Sequence, residues 1–193
     1  MTKFTNTNLR TGRTFRCQVK GGRCHANNQN GNQCKNHVVL GRQLCHVHRK
    51  TKLGLQVKKS TIPRSGRGLY TTRDIKKGDL IGRYAGQLIS TAMLNERYGK
   101  NKKDNAPYAL AASRSSHSSG HKIVDSACLR GIMSMANSKK KRSLSNARFS
   151  DHIRKDGTVI VRATKNIQAG SEIFIFYGAG FMKTHKNSKH TTY

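Results

Sequence analysis

Two stretches of this chain, 92 positions apart, say much the same thing. Residues 69–86 read "LYTTRDIKKGDLIGRYAG" and residues 159–178 read "VIVRATKNIQAGSEIFIFYG". Thr72 aligns with Thr164, Arg73 with Lys165, Ile75 with Ile167, Gly78 with Gly170, Ile81 with Ile173 and Gly86 with Gly178. In each copy β-branched residues flank a glycine-containing break, the pattern of strand, turn, strand. Two such units commit the chain to short strands joined by tight turns. The second copy alone ends in a tyrosine, Tyr177, before its last glycine. The turn therefore does not require that ring, and it becomes a candidate for chemistry.

Charge narrows the partners. Across 193 residues, 38 lysines and arginines face 8 acids, a formal net charge of +30, with 34% hydrophobic residues. Such an excess favours a polyanion, nucleic acid first. The acids are scattered, and Asp79 and Glu172 fall at turns of the repeat, where polar side chains are ordinary. A hydrolase built on paired carboxylates has few candidates here, and no Walker-type phosphate loop is present. No apolar run approaches the ~18 residues of a membrane span. "MTKFTNTNLR" lacks the apolar core of a secretory signal, so an intracellular protein with no membrane partner is expected.

Residues 17–48, "CQVKGGRCHANNQNGNQCKNHVVLGRQLCHVH", concentrate cysteine and histidine. Zinc takes four such ligands in a tetrahedron, and binding can supply folding energy that a short segment lacks. The window resembles short zinc modules with three cysteines and a final histidine. That match implies Cys24, Cys34, Cys45 and His48 as ligands of a structural zinc and leaves Cys17 spare. The residues themselves also allow Cys34, His37, Cys45 and His48, or a four-cysteine set that uses Cys17. Composition shifts near residue 50, which places a basic arm and zinc-binding module at 1–52.

In the remainder, Gly66-Arg67-Gly68 precedes a strand, "APYALAAS" supplies Tyr108, and "HKIVDSACLRG" supplies Asp125. "MANSKKKRSLSNARF" supplies Asn137 and later Asn146, and "ATKNIQAGSEIFIFYG" closes on Tyr177-Gly178. Motifs in this order resemble a SET domain, the fold of protein lysine methyltransferases, and the small stand-alone SET proteins of large DNA viruses look most similar. The resemblance implies a mostly β fold, a β-clip of short twisted sheets with a pseudoknot, over residues 53–182, followed by a basic tail at 183–193. Helix is expected at 91–101 alone. It implies S-adenosylmethionine as cofactor, with Arg67, Gly68, Asn137 and Ser138 on the cofactor side. Tyr177 would steer the amine, and Tyr108 would form the opposite wall of the lysine channel. Ser138 stands where the family has histidine, and Phe181, just before the tail, is a candidate cover for the site.

The implied function is methyl transfer to lysines of histones or other DNA-associated proteins, in a nucleus, viral factory or virion. The rival is a non-catalytic nucleic-acid or chromatin-binding protein that retains the scaffold. Methyl transfer is an in-line displacement that depends on alignment, so a shortage of carboxylates does not count against it.

Overall fold

A computed structural model describes residues 22–38, 43–99 and 106–178, together with the backbone of two strands at 2–7 and 14–19. Phe181 and the tail at 183–193 lie outside the described residues. The strands are β1 (Thr2–Thr7), β2 (Thr14–Val19), β3 (Gly22–Arg23), β4 (His37–Val38), β5 (Leu55–Lys59), β6 (Arg67–Thr71) and β7 (Leu80–Tyr84). They continue with β8 (Gln87–Ile89), β9 (Ala109–Ala111), β10 (Arg114–Ser115), β11 (Ile123–Asp125), β12 (Ala147–Ile153), β13 (Val159–Ala163) and β14 (Glu172–Ile173). Among the described residues two α-helices join them, α1 (His46–Leu53) and α2 (Thr91–Tyr98), with short 3-10 turns at Ile132–Met135 and Arg142–Leu144. Two compact units emerge, one from residues 1–48, 85–131 and 151–159, the other from 49–84, 132–150 and 160–193.

The repeat organises the second unit, because its two copies bond to each other. Ile75 and Ile167 exchange N–H···O bonds of 2.9 and 2.8 Å. The Gly78 N–H donates to Ala163 O, and its counterpart Gly170 N–H donates to Thr71 O. Ala163 N–H donates to Asp79 O, and Thr71 N–H donates to Ser171 O. Even the side chains correspond: Asp74 Oδ1 accepts from Ala169 N at 2.7 Å, and Asn166 Oδ1 accepts from Lys77 N at 2.9 Å. Both turns rest on a glycine in the left-handed region, with φ of 92° at Gly78 and 83° at Gly170, where any side chain would be strained. These paired turns satisfy backbone groups that would otherwise be buried without partners.

Antiparallel pairing of β5 with β6, and of β6 with β14, builds a three-stranded sheet. Beyond β14 the chain runs between the two ends of the 138–146 loop. Ile175 N–H donates to Asn137 O on one side, while Asn146 and Ala147 N–H both donate to Phe174 O on the other. Asn146 adds its side chain, donating to Glu172 O at 2.9 Å and accepting from Phe174 N at 2.8 Å. This is the threaded segment that the pseudoknot requires, a rare departure from unknotted topology. It brings Tyr177 next to residues 136–138.

In the first unit, β11 lies between β8 and β9, antiparallel to both. The helix expected at 91–101 forms over 91–98. Ser90 caps it by accepting from Met93 N, and Gly99 ends it at φ 95°. Its buried Tyr98 and its Arg97 both reach Asp125, the fully buried last residue of β11; the Arg97 bond is 2.7 Å. Unpaired, that carboxylate would be costly to bury. The N-terminal arm, read as merely basic, contains the β1–β2 hairpin, with Thr2 opposite Val19. Helix α1 is an addition to the expected inventory; none of its residues is buried, so it carries no apolar stripe. Among the described residues no helix is long and apolar enough to cross a membrane.

Candidate active site and metal centre

Within the Cys/His window, the ligand atoms of Cys24, Cys34, Cys45 and His48 all lie within 4.8 Å of one another. His48 Nδ1 stands 3.4 Å from Cys24 Sγ and 3.3 Å from Cys45 Sγ. A tetrahedral zinc with ordinary bond lengths separates S and N by about 3.6 Å, so the donors fit that ion with small adjustments. Thiolate charge has support: Cys45 N donates to Cys24 Sγ, and Asn36 Nδ2 donates to Cys45 Sγ. Burial pushes the Cys45 thiol up, but the His48 backbone N–H, Asn36, the His48 ring and Cys24 overcome it and lower the group to about 5. At Cys34 the Asn36 backbone N–H pulls downward, yet burial and the Cys45 sulfur leave the thiol raised. The window's buried cluster is Cys24, Ala26, Cys34, Val38 and Cys45, too little apolar matter to hold a fold by itself. His37 stands exposed on β4 outside the cluster, and the Cys17 side chain lies outside the described residues.

In the second unit the Gly66–Gly68 segment, where the chain turns at Gly66 into the first residues of β6, is held by hydrogen bonds to its carbonyls. Gly66 O accepts from Ser60 N at 2.9 Å, and Arg67 O accepts from the Asn137 amide at 3.1 Å. That amide also donates to Ser60 Oγ and to Glu172 Oε1. Glu172, read from sequence as a turn residue, is the buried first residue of β14. Its carboxylate accepts from Ser60 Oγ, Thr61 N and Thr61 Oγ1 at 2.7 Å each, and from Tyr70 OH at 3.2 Å. Burial favours its protonation, but the Thr61 and Ser60 hydroxyls, the Thr61 N–H and the Asn137 amide outweigh that and hold the carboxyl below its usual value. Burial, with the Glu172 charge beside it, raises the Tyr70 phenol. Gly68 is a glycine because a Cβ there would sit 2.0 Å from Glu172 Oε1. A Cβ on Gly66 would meet nothing within 4 Å, so the turn keeps an open face beside the exposed Arg67.

Tyr177 completes the arrangement. Its hydroxyl donates to Ala136 O, its backbone N–H donates to Ser138 Oγ at 3.1 Å, and its ring stacks on Phe149 at 6.4 Å. Buried Ser138, on the cofactor side in the sequence reading, donates a hydrogen bond to Lys139 O. Tyr177, Asn137, Ser138, Arg67 and Gly68 thus converge in one unit. Tyr108 lies in the other, just before β9, with the Arg130 guanidinium 4.0 Å from its ring centroid. Glu172 went unrecognised in the sequence reading; its one signal there was an acid aligned with an apolar residue, Leu80, of the other copy.

A family model described as "SET domain" matches residues 66–178, more than half of the chain. The chain belongs to the SET domain family. No curated protein matches it in sequence. Solved SET-containing structures match in fold. The Chaetomium thermophilum polycomb repressive complex 2 bound to S-adenosylmethionine is 23% identical at a TM-score of 0.52, covering 69% of this chain and 16% of that one. The Neurospora SET domain protein DIM-5, a histone lysine methyltransferase, is 19% identical at a TM-score of 0.51, covering 67% and 55%. This SET protein thus spans about a sixth of the polycomb chain and about half of DIM-5, and at these identities the likeness concerns the fold.

Proposed function

We propose that this SET protein transfers methyl groups from S-adenosylmethionine to lysine side chains of histones or other DNA-associated proteins. One observation carries the reading: the Tyr177 hydroxyl is anchored on Ala136 O, one residue from the Asn137 that holds the Gly66–Gly68 turn. The residues present suit the cofactor. The turn's open face admits a ligand against backbone, and exposed Arg67 offers a cation to its carboxylate. Gly68, Asn137 and Ser138 shape that side; the Asn137 amide and Ser138 hydroxyl are already bonded to protein, so they hold the wall in place. When bound, S-adenosylmethionine supplies an electrophilic methyl group.

The chain's own part is alignment. A lysine amine with a reference pKa near 10.4 must arrive deprotonated. The Tyr177 hydroxyl donates a hydrogen bond to Ala136 O, which fixes the phenolic oxygen where it would orient the amine toward the methyl. Ser138 and Phe149 fix the tyrosine from its backbone and its ring face. Tyr108, read from sequence as the opposite wall of the lysine channel, belongs to the other unit. In the Cys24, Cys34, Cys45 and His48 centre, zinc would serve folding, since four protein ligands leave no open position for catalysis.

Charge supports a DNA-bound substrate. Residues 126–150 contain no acid, and Lys140, Lys141 and Arg142 are exposed beside the site. Lys139 sits 4.0 Å over the Phe174 ring and Arg142 5.4 Å over Phe176, which orients the loop. A polyanion there would bring the substrate near Tyr177 and place the protein in a nucleus or, on the viral resemblance, a viral factory or virion. The same charge favours the rival reading, a non-catalytic nucleic-acid binder. Labelled methyl transfer to nucleosomes and to free histones separates the two. Label from the wild type that disappears in Tyr177→Phe supports the enzyme, whereas binding of DNA without label from either form supports the rival.

A further inference from the structure

We infer that Glu172 is a positioning residue for cofactor binding, acting through Asn137 on the Gly66–Gly68 turn. The inference rests on the methyltransferase reading and adds to it a group that touches neither cofactor nor lysine. Three observations carry it. First, Glu172 is 4% exposed, yet its carboxylate meets donors from Ser60, Thr61, Tyr70 and Asn137. Second, Oε1 and Ser60 Oγ both accept from the Asn137 amide, the group that also holds Arg67 O. Without an acceptor at Oε1, that amide has one fewer reason to keep its rotamer, and the Arg67 carbonyl loses a fixed partner. Third, Oε1 occupies the space that a side chain at position 68 would fill, so carboxylate and turn are shaped to one another.

The remaining charges near Glu172 do not take over this role. Lys58 stands over the Tyr70 ring, 4.3 Å from its centroid, and Arg67 is exposed. Neutral hydroxyl and N–H donors stabilise the carboxylate in its charged form. Such a site depends on geometry and tolerates little change in donor and acceptor pattern. Replacing one carboxylate oxygen by an amide turns an acceptor into a donor facing donors.

Calorimetric titration with S-adenosylmethionine, paired with steady-state kinetics on histone, tests the inference. In Glu172→Gln, Kd and KM for the cofactor rise about ten-fold or more, while KM for histone moves less than about two-fold. Ser60→Ala, a milder change at the same node, moves cofactor binding in the same direction by a smaller factor, and it serves if Glu172→Gln does not fold. In an Asn137→Ala background the Glu172→Gln effect disappears, since the intermediary is gone. Asp79→Asn, in the exposed turn, leaves cofactor affinity unchanged. Cofactor affinity unaltered in the folded variants, or an equal effect with and without Asn137, overturns the role of Glu172. A wild type that binds no S-adenosylmethionine overturns instead the methyltransferase reading itself.

Discussion

Gly68→Ala isolates one contact whose cost follows from distances. Gly68 has no left-handed φ, so alanine introduces no backbone strain. Its Cβ would stand 2.0 Å from Glu172 Oε1 and 2.7 Å from Cδ, where real Cβ atoms essentially never come within 3.0 Å. The carboxylate must therefore retreat by at least about 1 Å. Its bonds to Ser60 and Thr61 are 2.7 Å long, so a shift of that size carries them past hydrogen-bonding range. Hydrogen bonds to a charged group contribute roughly 1.5–3 kcal/mol each, and neighbours relax in part, so we expect a loss of about 2–4 kcal/mol. Urea unfolding followed by circular dichroism measures it. Gly66→Ala is the comparison, with open space around its Cβ and a φ of 66°, costing about 1–2 kcal/mol through the backbone alone. Combining Gly68→Ala with Glu172→Ala should remove most of the clash, so that the pair costs less than the sum. A Gly68→Ala protein within about 0.5 kcal/mol of wild type, or strict additivity with Glu172→Ala, would refute the reasoning.

Further tests address the remaining features. Because Glu172 has a depressed folded-state pKa, the stability it contributes is present above the ordinary carboxyl pKa and lost as pH falls through the folded value. The stability gap between wild type and Glu172→Gln should thus narrow in acid; a gap that widens contradicts the assignment. Metal analysis after dialysis should give one zinc per chain, and Cys45→Ser should lose it along with the window's protection from protease. Lys140→Ala and Arg142→Ala should weaken DNA binding and flatten its log–log salt dependence by about one unit per phosphate contact removed. An unchanged slope would return that loop to an ordinary solvated surface.

The repeat was legible because strand pairing and glycine turns are local rules. Ile75, Gly78 and their partners 92 residues later obey the same steric constraints and so carry the same letters. The converging motif also showed through, since Tyr177 stood out as a residue the turn does not need. Helix α1 did not: with no buried face, it leaves no periodic apolar signal to read. The order of the repeat gave no hint that its copies would bond reciprocally across a shared centre, nor that Asn137 would face inward to Ser60, Arg67 and Glu172.

Position 80 and its counterpart 172 mark the boundary between the two kinds of information. By hydropathy the leucine belongs inside and the glutamate outside, yet Leu80 is 42% exposed and Glu172 4%. Sequence alone determined that both residues follow a glycine turn within a strand-turn-strand unit; that each begins a strand is seen in the structure. Which strand would be enclosed depended on donors as distant in the chain as Ser60, Thr61, Tyr70 and Asn137. A buried carboxylate is stable where such groups surround it and nowhere else, and only the completed tertiary structure assembles them.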